Sequence, residues 1–308
     1  MKIFRSIEDY NLNQRSILTI GTFDGVHEGH KKILNKLISS SKTKNLSSVV
    51  LTFFPHPRTI LNKYNIVKMI DTLDEKIEAF EKLGIENLII HPFDKNFSLL
   101  SADQFIKDYL IEKLKINYII IGYNHRFGKG RESSVDDLKK YGESFDFIVE
   151  EIKAHEVESI AVSSTKIRDS INNGDLDRSA KFLGRFFKLT GKVVKGDGLG
   201  KQIDYPTANI YVEENYKIIP KDGVYLIKTL IDDKKFHGMM NIGHRPTIGE
   251  NKKSIEVHLF DFNKDIYDKT ISVDVLLKIR NEIKFSSIQA LKEQLKKDEI
   301  HCIELINK

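Results

Sequence analysis

Residues 21–30 contain the residue types of a phosphate-binding turn. They read Gly-Thr-Phe-Asp-Gly-Val-His-Glu-Gly-His and stand between a predicted strand and a predicted helix. Glycines let the backbone approach a ligand closely, and the start of a helix offers free N–H groups to an anion. His27 and His30 fall on the first helical turn, where protonated or donating imidazoles could stabilise charge on a phosphoryl group. We therefore predict a nucleotide polyphosphate site; a plain strand-to-helix turn with two surface histidines, or half of a metal site, is the alternative.

Residues 52–58 form a second candidate loop and read Thr-Phe-Phe-Pro-His-Pro-Arg. The two prolines predict an extended, rigid turn that presents His56 and Arg58 at the same edge of the sheet. A planar guanidinium binds oxyanions well, so Arg58 could hold a phosphate. A rigid surface loop explains the same residues equally well.

Two later loops of the first half are also candidates. Residues 122–131 combine aromatic, amide and basic groups, which suits a planar heterocycle with a phosphate tail, although composition alone favours a flexible basic loop. Residues 163–168 read Ser-Ser-Thr-Lys-Ile-Arg at a predicted helix start. Helix capping accounts for one hydroxyl. Three hydroxyls followed by Lys166 and Arg168 indicate a second phosphate clamp.

The second half contains a glycine-rich loop at residues 191–201, followed by Pro-Thr-Ala-Asn at 206–209. The loop fails as a Walker A motif because Lys195 stands where a glycine is needed, and as a dinucleotide fingerprint because residue 201 is Lys. Alone, it reads as an ordinary turn. The hydroxyl and amide of Thr207 and Asn209, two positions apart, can hold a Mg²⁺-bound phosphate.

A candidate general base stands in the predicted strand 255–259, Ile-Glu-Val-His-Leu. Strand alternation places Glu256 and His258 on one face and their apolar neighbours on the other. We expect Glu256 to point into a polar barrel mouth, where a carboxylate could activate a hydroxyl. An exposed glutamate on an edge strand is an equally good interpretation of this strand alone.

The elements that position these residues differ between the two halves of the chain. Up to about residue 185, short β-rich runs alternate with helical spacing, which predicts a parallel, doubly wound α/β sheet with ligands at the C-terminal ends of its strands. The predicted strands are 17–23, 49–54, 88–90, 118–121 and 147–149, and helical spacing recurs at 33–38, 73–80 and 105–114.

After Gly184, strands follow one another at short intervals and predict an antiparallel barrel or sandwich. They cover 187–194, 224–230, 236–242, 255–260 and 271–277, with no helical pattern among them. A helix at about 286–297 could cover an open barrel edge. We therefore expect two domains, 1–185 and 186–308.

Composition limits the class of protein. The chain has 308 residues, a formal charge of +5 and a single cysteine, Cys302, which excludes an intrachain disulfide or a multi-cysteine metal site. The start lacks a signal-peptide core and no run is long enough to span a membrane, so we expect a soluble, cytoplasmic protein. The charge divides into +2 and +3 between the halves, which disfavours a nucleic-acid-binding module.

Taken together, the motifs resemble the bifunctional bacterial riboflavin kinase/FMN adenylyltransferase family, the prokaryotic FAD synthetases, along nearly the whole chain. The first half resembles the adenylyltransferase through GTFDGVHEGH, TFFPHPR, GYNHRFGKGR and SSTKIR. The second resembles the flavokinase through GKVVKGDGLGKQIDYPTAN, NIGHRPT, IEVHLFDF and residues 280–285. The resemblance implies that the barrel makes FMN and ADP from riboflavin and ATP, and that the first domain makes FAD and pyrophosphate from FMN and ATP.

The resemblance also implies roles for individual residues. Glu256 would deprotonate the ribityl hydroxyl, Thr207 and Asn209 would hold MgATP, and His27, His30 and Arg168 would act on ATP in the first domain. The other implied nucleotide-binding residues are Gly21, Phe23, Asp24, Gly29, Ser164, Thr165, Gly196 and Gly200. The implied flavin-binding residues are Arg58, Asn124 and Arg280. Small molecules, and neither nucleic acid nor membrane, are the expected partners.

Three departures from the family pattern concern flavin and nucleotide affinity. Asn124 is followed by His125 where the family has a phenylalanine. Lys201 replaces an arginine and so loses bidentate reach, and Asp204 replaces a glycine, which restricts the turn. None removes a predicted phosphate-binding or base residue. A riboflavin kinase with a weakened adenylyltransferase domain is the alternative function.

Overall fold

The computed structural model describes residues 1–12, 14–61, 67–153, 162–196, 199–244 and 253–307. The chain folds into two compact units, Met1–Ser164 and Thr165–Lys308. Residues 165–185 thus belong to the second compact unit, whereas the functional boundary between residues 185 and 186 stays a prediction. No helix in the described part of the chain is long and apolar enough to cross a membrane.

The first unit is built around a parallel sheet with six strands among its described residues, in the order β1-β4-β3-β2-β5-β6. The strands are β1 (Lys2–Phe4), β2 (Ser16–Ile20), β3 (Ser47–Phe54), β4 (Asn87–Pro92), β5 (Ile116–Gly122) and β6 (Ile148–Ile152). Every residue of β2 is buried, as expected for a parallel strand covered on both faces. The predicted doubly wound sheet is confirmed, with β1 as an edge strand that the sequence pattern did not indicate.

Helices cover both faces of this sheet. They are α1 (Glu28–Lys44), α2 (Pro57–Leu61), α3 (Leu73–Leu83), α4 (Lys95–Ser98), α5 (Ala102–Gln104), a π-helix (Phe105–Lys113) and α6 (Val135–Phe145). α3 starts at a capping box of Thr72 and Glu75 and ends at Gly84 in the left-handed conformation. The stretch predicted as an α-helix at 105–114 is π-helical.

Two hydrophobic cores lie on opposite faces of the sheet because successive strand residues point in opposite directions. Leu18 and Ile119 belong to one core, together with Leu110 of the π-helix. Their neighbours Ile17 and Ile120 belong to the other core, which α1 and α3 supply with Leu34, Leu37 and Phe80.

The second unit contains a closed antiparallel barrel in the order β10-β11-β8-β7-β12-β9. Its strands are β7 (Phe187–Val194), β8 (Ala208–Tyr211), β9 (Gly223–Ile231), β10 (Lys234–His244), β11 (Lys253–Leu259) and β12 (Thr270–Arg280). Of the two predicted architectures, the barrel is therefore confirmed and the sandwich is not. The short strand β8 was not predicted; it contains Asn209 and pairs with β7 and β11.

Helices of the second unit include α8 (Leu176–Leu183), α9 (Leu199–Gln202) and α10 (Ile288–Ile306), and α7 (Ser164–Asn173) begins at the last residue of the first unit. α9 interrupts a region predicted to be without helix. α10 extends beyond the predicted 286–297 and packs beside Val224, Leu226 and Met239. Because the barrel is closed, α10 covers its outer wall and not an open edge.

Candidate active sites

The turn after β2 is held in an unusual backbone conformation. Phe23 and Val26 have positive φ angles of 46° and 40°, a region that residues with a Cβ seldom adopt. The turn ends at His27, which caps α1 because its Nδ1 accepts the backbone N–H of His30 at 3.3 Å. The predicted strand, turn and helix are therefore confirmed, and the histidine cap takes the place of the usual Ser or Asp.

His27 and His30 form a stacked pair with ring centroids 3.6 Å apart and an interplanar angle of 16°. Burial, His27 and nearby Lys76 together hold the pKa of His30 well below its ordinary value. His30 is therefore neutral near pH 7 and can act as a hydrogen-bond donor. Within the described residues its buried Nδ1 has no hydrogen-bond partner, so a ligand could satisfy it.

Asp24 organises the turn through both its backbone and its side chain. Its Oδ1 accepts the backbone N–H of Ile70 at 2.9 Å, and its carbonyl accepts the hydroxyl of Ser164 at 3.0 Å. Ser164 therefore lies beside the turn, although it is 140 residues away in the chain. Thr165 and Arg168 follow on α7 in the second unit, and their phosphate role stays a prediction.

Neighbouring strands bring two more predicted motifs to this edge of the sheet. β2 lies between β3 and β5, so the loops after these three parallel strands meet at the same edge. Arg58 is exposed there, whereas His56 is buried and its Nδ1 accepts the backbone N–H of Arg58 at 3.1 Å. The extended turn predicted for 52–58 is wrong in its second part, because Pro57 opens the short helix α2.

The loop after β5 presents Asn124 to solvent and keeps His125 partly buried. The backbone N–H of His125 donates to the carbonyl of Gly122 at 3.0 Å. The imidazole ring of His125 lies beside the ring of Phe127, with 6.2 Å between the ring centroids. Burial, with a contribution from Arg131, lowers the pKa of His125 to about 4. His125 thus offers a neutral, flat ring where the family pattern has a phenylalanine.

Three polar residues of the barrel stand in one row across adjacent strands. The register pairs Glu256 of β11 with Asn209 of β8 on one side and with Asn241 of β10 on the other. Ile255 and Val257 are buried on the opposite face. α10 packs on the face that contains Glu256, so this carboxylate lies on the outer wall; the expected position in a barrel mouth is wrong.

The glycine-rich loop approaches this row closely. A Cβ on Gly196 would lie 2.8 Å from Cγ of Asn209, so only glycine leaves room for the amide. The carbonyl of Gly200 accepts the backbone N–H groups of Ile203 and Tyr205 at 3.2 and 2.8 Å. Asp204 adopts a φ of +66°, so the aspartate that replaces a glycine takes the left-handed conformation, which Asp tolerates better than most residues.

Arg280 holds α10 against the end of β12. Its Nε and Nη2 donate to the buried carboxylate of Asp298 at 2.7 to 3.0 Å, and Nη1 donates to the carbonyl of Asn281 at 3.0 Å. These bonds fix where residues 281–285 leave the barrel. Flavin binding by Arg280 stays a prediction, and any such contact would have to use the remaining N–H groups.

Hard oxygen ligands are available for a magnesium ion. Within the described ranges there is no cluster of three or more His, Cys, Asp or Glu side chains suited to a metal. Thr207 and Asn209 nevertheless offer a hydroxyl and an amide oxygen next to the glycine loop, a donor set that Mg²⁺ shares with substrate phosphates. The residues therefore fit an ion that arrives with ATP.

Sequence reasoning missed Asn241 and Lys76 as members of these sites. Asn241 was part of a quoted motif, but only the strand register places it beside Glu256. Lys76 falls within the helical spacing predicted at 73–80, but only the tertiary fold places its ammonium 3.2 Å from the carbonyl of Thr22, in the turn after β2.

Comparisons with known proteins agree with both halves of this description. A family model described as FAD synthetase matches residues 9–166, and one described as riboflavin kinase matches residues 183–306. Proteins named bifunctional riboflavin kinase/FMN adenylyltransferase are similar over nearly their full length. One from Buchnera aphidicola subsp. Schizaphis graminum is 40% identical over 100% of this chain and 98% of its own.

The corresponding protein of Haemophilus influenzae is 36% identical over 97% of each chain, and that of Escherichia coli strain K12 is 34% identical over 97% of this chain and 96% of its own. A crystal structure described as a macrolide-efflux protein from Streptococcus pneumoniae is 32% identical, covers 96% of each chain and has a TM-score of 0.87. The fold of the whole chain is therefore one already seen in a crystal.

Proposed function

Because this chain belongs to the bifunctional riboflavin kinase/FMN adenylyltransferase family, we propose a role for each of its two sites. The chain phosphorylates riboflavin to FMN with ATP and joins FMN to the AMP part of a second ATP, releasing pyrophosphate. We assign the first reaction to the barrel and the second to the parallel-sheet unit. A match to the FAD synthetase model over residues 9–166 favours this interpretation over a kinase alone.

In the kinase reaction, Glu256 accepts the proton of the ribityl hydroxyl as its oxygen attacks the γ-phosphorus of ATP. A new O–P bond forms, the bond to the β-phosphate oxygen breaks, and ADP leaves. Asn209 and Thr207 hold the phosphates in line, and positioning of this kind supplies much of the rate in phosphoryl transfer. Mg²⁺, when bound by these oxygens, would neutralise charge on the phosphates.

In the adenylylation, a phosphate oxygen of FMN attacks the α-phosphorus of ATP, and pyrophosphate leaves. His27 and His30 donate hydrogen bonds to the phosphate oxygens, where negative charge grows in the transition state. The buried Nδ1 of His30, which has no hydrogen-bond partner among the described residues, supports this donor role, because a neutral imidazole can still donate through one ring nitrogen. Arg58 holds the FMN phosphate, and Asn124 lies near the flavin ring. Ser164, Thr165 and Arg168 also bind ATP.

The observation that carries the kinase assignment is the row of Asn209, Glu256 and Asn241 beside the glycine loop. Glu256→Gln keeps the shape of the side chain and removes the base. We expect FMN formation to fall by about 10²- to 10⁴-fold, while FAD formation from supplied FMN continues. HPLC of two parallel incubations with ATP and Mg²⁺, one supplied with riboflavin and the other with FMN, measures the two activities. An unchanged kinase rate in Glu256→Gln would show that Glu256 is not the base.

The reciprocal variant tests the other site. His30→Ala should lower FAD formation from FMN by about 100-fold and leave FMN formation from riboflavin unchanged. Equal loss of both activities would contradict the assignment of one reaction to each unit. FMN that accumulates in the unmodified protein without any FAD would instead support the kinase-only alternative.

A further inference from the structure

Lys76 is a buried lysine that neither reaction uses. It lies on α3 with only 2% of its surface exposed, although lysine is almost never fully buried unless its charge is compensated. Its ammonium donates to the carbonyl of Thr22 at 3.2 Å. Thr22 belongs to the turn that leads to His27 and His30, so Lys76 lies directly beneath the candidate phosphate site.

Two buried carboxylates accompany this ammonium. Asp24 and Asp71 are each 1% exposed, and both attract the charge of Lys76. Burial lowers the pKa of Lys76, and the two carboxylates oppose that effect. A buried charge costs several kcal/mol unless it is paired, so the three groups form one electrostatic unit.

This unit also holds the backbone of the turn in place. The carbonyl of Thr22 accepts from the Thr52 hydroxyl at 3.2 Å as well as from Lys76, and Asp24 is anchored to Ile70. Between them stands Phe23 in its left-handed conformation, which costs energy and persists only where the surroundings enforce it. Removal of the ammonium would leave the Thr22 carbonyl with the Thr52 hydroxyl alone of these two donors, and it would take away the positive charge that faces Asp24 and Asp71.

We propose that Lys76 is a positioning residue of the adenylylation reaction: its ammonium fixes the Thr22 carbonyl and neutralises Asp24 and Asp71, so that the turn accepts the polyphosphate of ATP. This inference rests on the proposed binding of ATP by the turn, and it names the residue that allows the turn to accept an anion. Without Lys76, the carboxylates would repel the phosphates across the turn, and ATP affinity would decrease more than the rate of the bound complex.

The test compares four variants of the full chain by steady-state kinetics of FAD formation and of FMN formation. Lys76→Met removes the charge at similar volume, and Lys76→Met/Asp71→Asn also removes one carboxylate. Asp71→Asn is the second single variant that a double-mutant cycle requires. Lys82→Met is the matched control, because Lys82 is an exposed lysine at the other end of α3. The kinase activity of each preparation reports whether the rest of the chain is intact.

We expect Lys76→Met to raise the KM for ATP in FAD formation by about tenfold, with a smaller change in kcat and no change in FMN formation. The double variant should recover part of the ATP KM, a coupling that lost packing alone would not produce. Lys82→Met should match the unmodified protein.

An ATP KM in Lys76→Met equal to that of the unmodified protein overturns the proposal, as does a double variant with no recovery. If Lys76→Met does not fold, the test uses the double variant, in which the loss of one carboxylate balances the loss of the ammonium. An ATP KM in the double variant equal to that of the unmodified protein would then overturn the proposal. Failure of the proposed function looks different, because His30→Ala would then form FAD normally.

Discussion

Gly196 lies directly against the side-chain amide of Asn209, and this contact shows how one residue can determine the position of another. The amide needs the space that a Cβ would fill. Asn209 stands beside Glu256 in the row across the barrel wall. Under the roles proposed for these two residues, a shift of the amide would move the phosphates of ATP away from the base. A displacement of about 1 Å can reduce a rate by about 100-fold.

Gly196→Ala should therefore reduce FMN formation by about 10- to 100-fold. The thermal midpoint should change little, because the atom displaced is the end of a flexible side chain. Assays of FMN and FAD formation in the same preparation, with a melting curve, test this. A fully active Gly196→Ala kinase would show that Asn209 does not need its observed position.

At the scale of elements, α10 supports the loop that precedes β8. The hydroxyl of Tyr205 donates to Glu299 at 2.9 Å, and Lys292 pairs with Asp204 at 2.6 Å. Burial and the neighbouring Glu299 raise the pKa of Tyr205 to about 12, so the phenol keeps its proton at any physiological pH. The loop is also held from the barrel side, where Nδ1 of His258 lies 2.8 Å from the carbonyl of Pro206.

Removal of the Tyr205 hydroxyl should loosen this support without an effect on the chemistry. We expect Tyr205→Phe to lower the free energy of unfolding of the second unit by about 1 kcal/mol and to raise the ATP KM of the kinase severalfold, with kcat nearly unchanged. Urea unfolding and kinase kinetics measure the two effects. Lys296→Ala, on the exposed side of α10, is the control, and a similar loss there would contradict a specific role of the hydroxyl.

At the scale of the whole molecule, each unit has hydrophobic clusters of its own. Among the described residues, the clusters on the two faces of the sheet consist of residues of the first unit, and the barrel wall and α10 share a cluster within the second unit. Because each unit buries its own apolar surface, a cavity made in one core should affect mainly the activity of that unit.

Ile119→Ala tests this separation, because Ile119 is fully buried in the sheet. The cavity should destabilise the first unit by about 2 to 5 kcal/mol. FAD formation should then be lost at a lower temperature, whereas FMN formation should survive heating as before. Lys113→Ala, which changes an exposed residue of the same unit, is the control, and both of its activities should withstand heating as in the unmodified protein. Parallel loss of both activities in Ile119→Ala would mean that the two units unfold together.

The sequence by itself determined the fold class and the motifs, because these depend on local patterns. Alternating and helical periodicities specify buried strands and helices, and the turn at residues 21–30 is recognisable from consecutive residues. Its strand, turn and helix are all present, although the strand ends at Ile20 and not at residue 23 as predicted. Phosphate binding by these residues stays a prediction.

Only the tertiary structure decided which distant residues share a site. Lys76 meets the Thr22 carbonyl across 54 positions of the chain, and Ser164 meets Asp24 across 140. Asn241, Glu256 and Asn209 become neighbours through the register of three strands. No local pattern encodes such contacts, because they follow from how whole elements pack, and packing depends on the combined burial of apolar surface from every part of a unit.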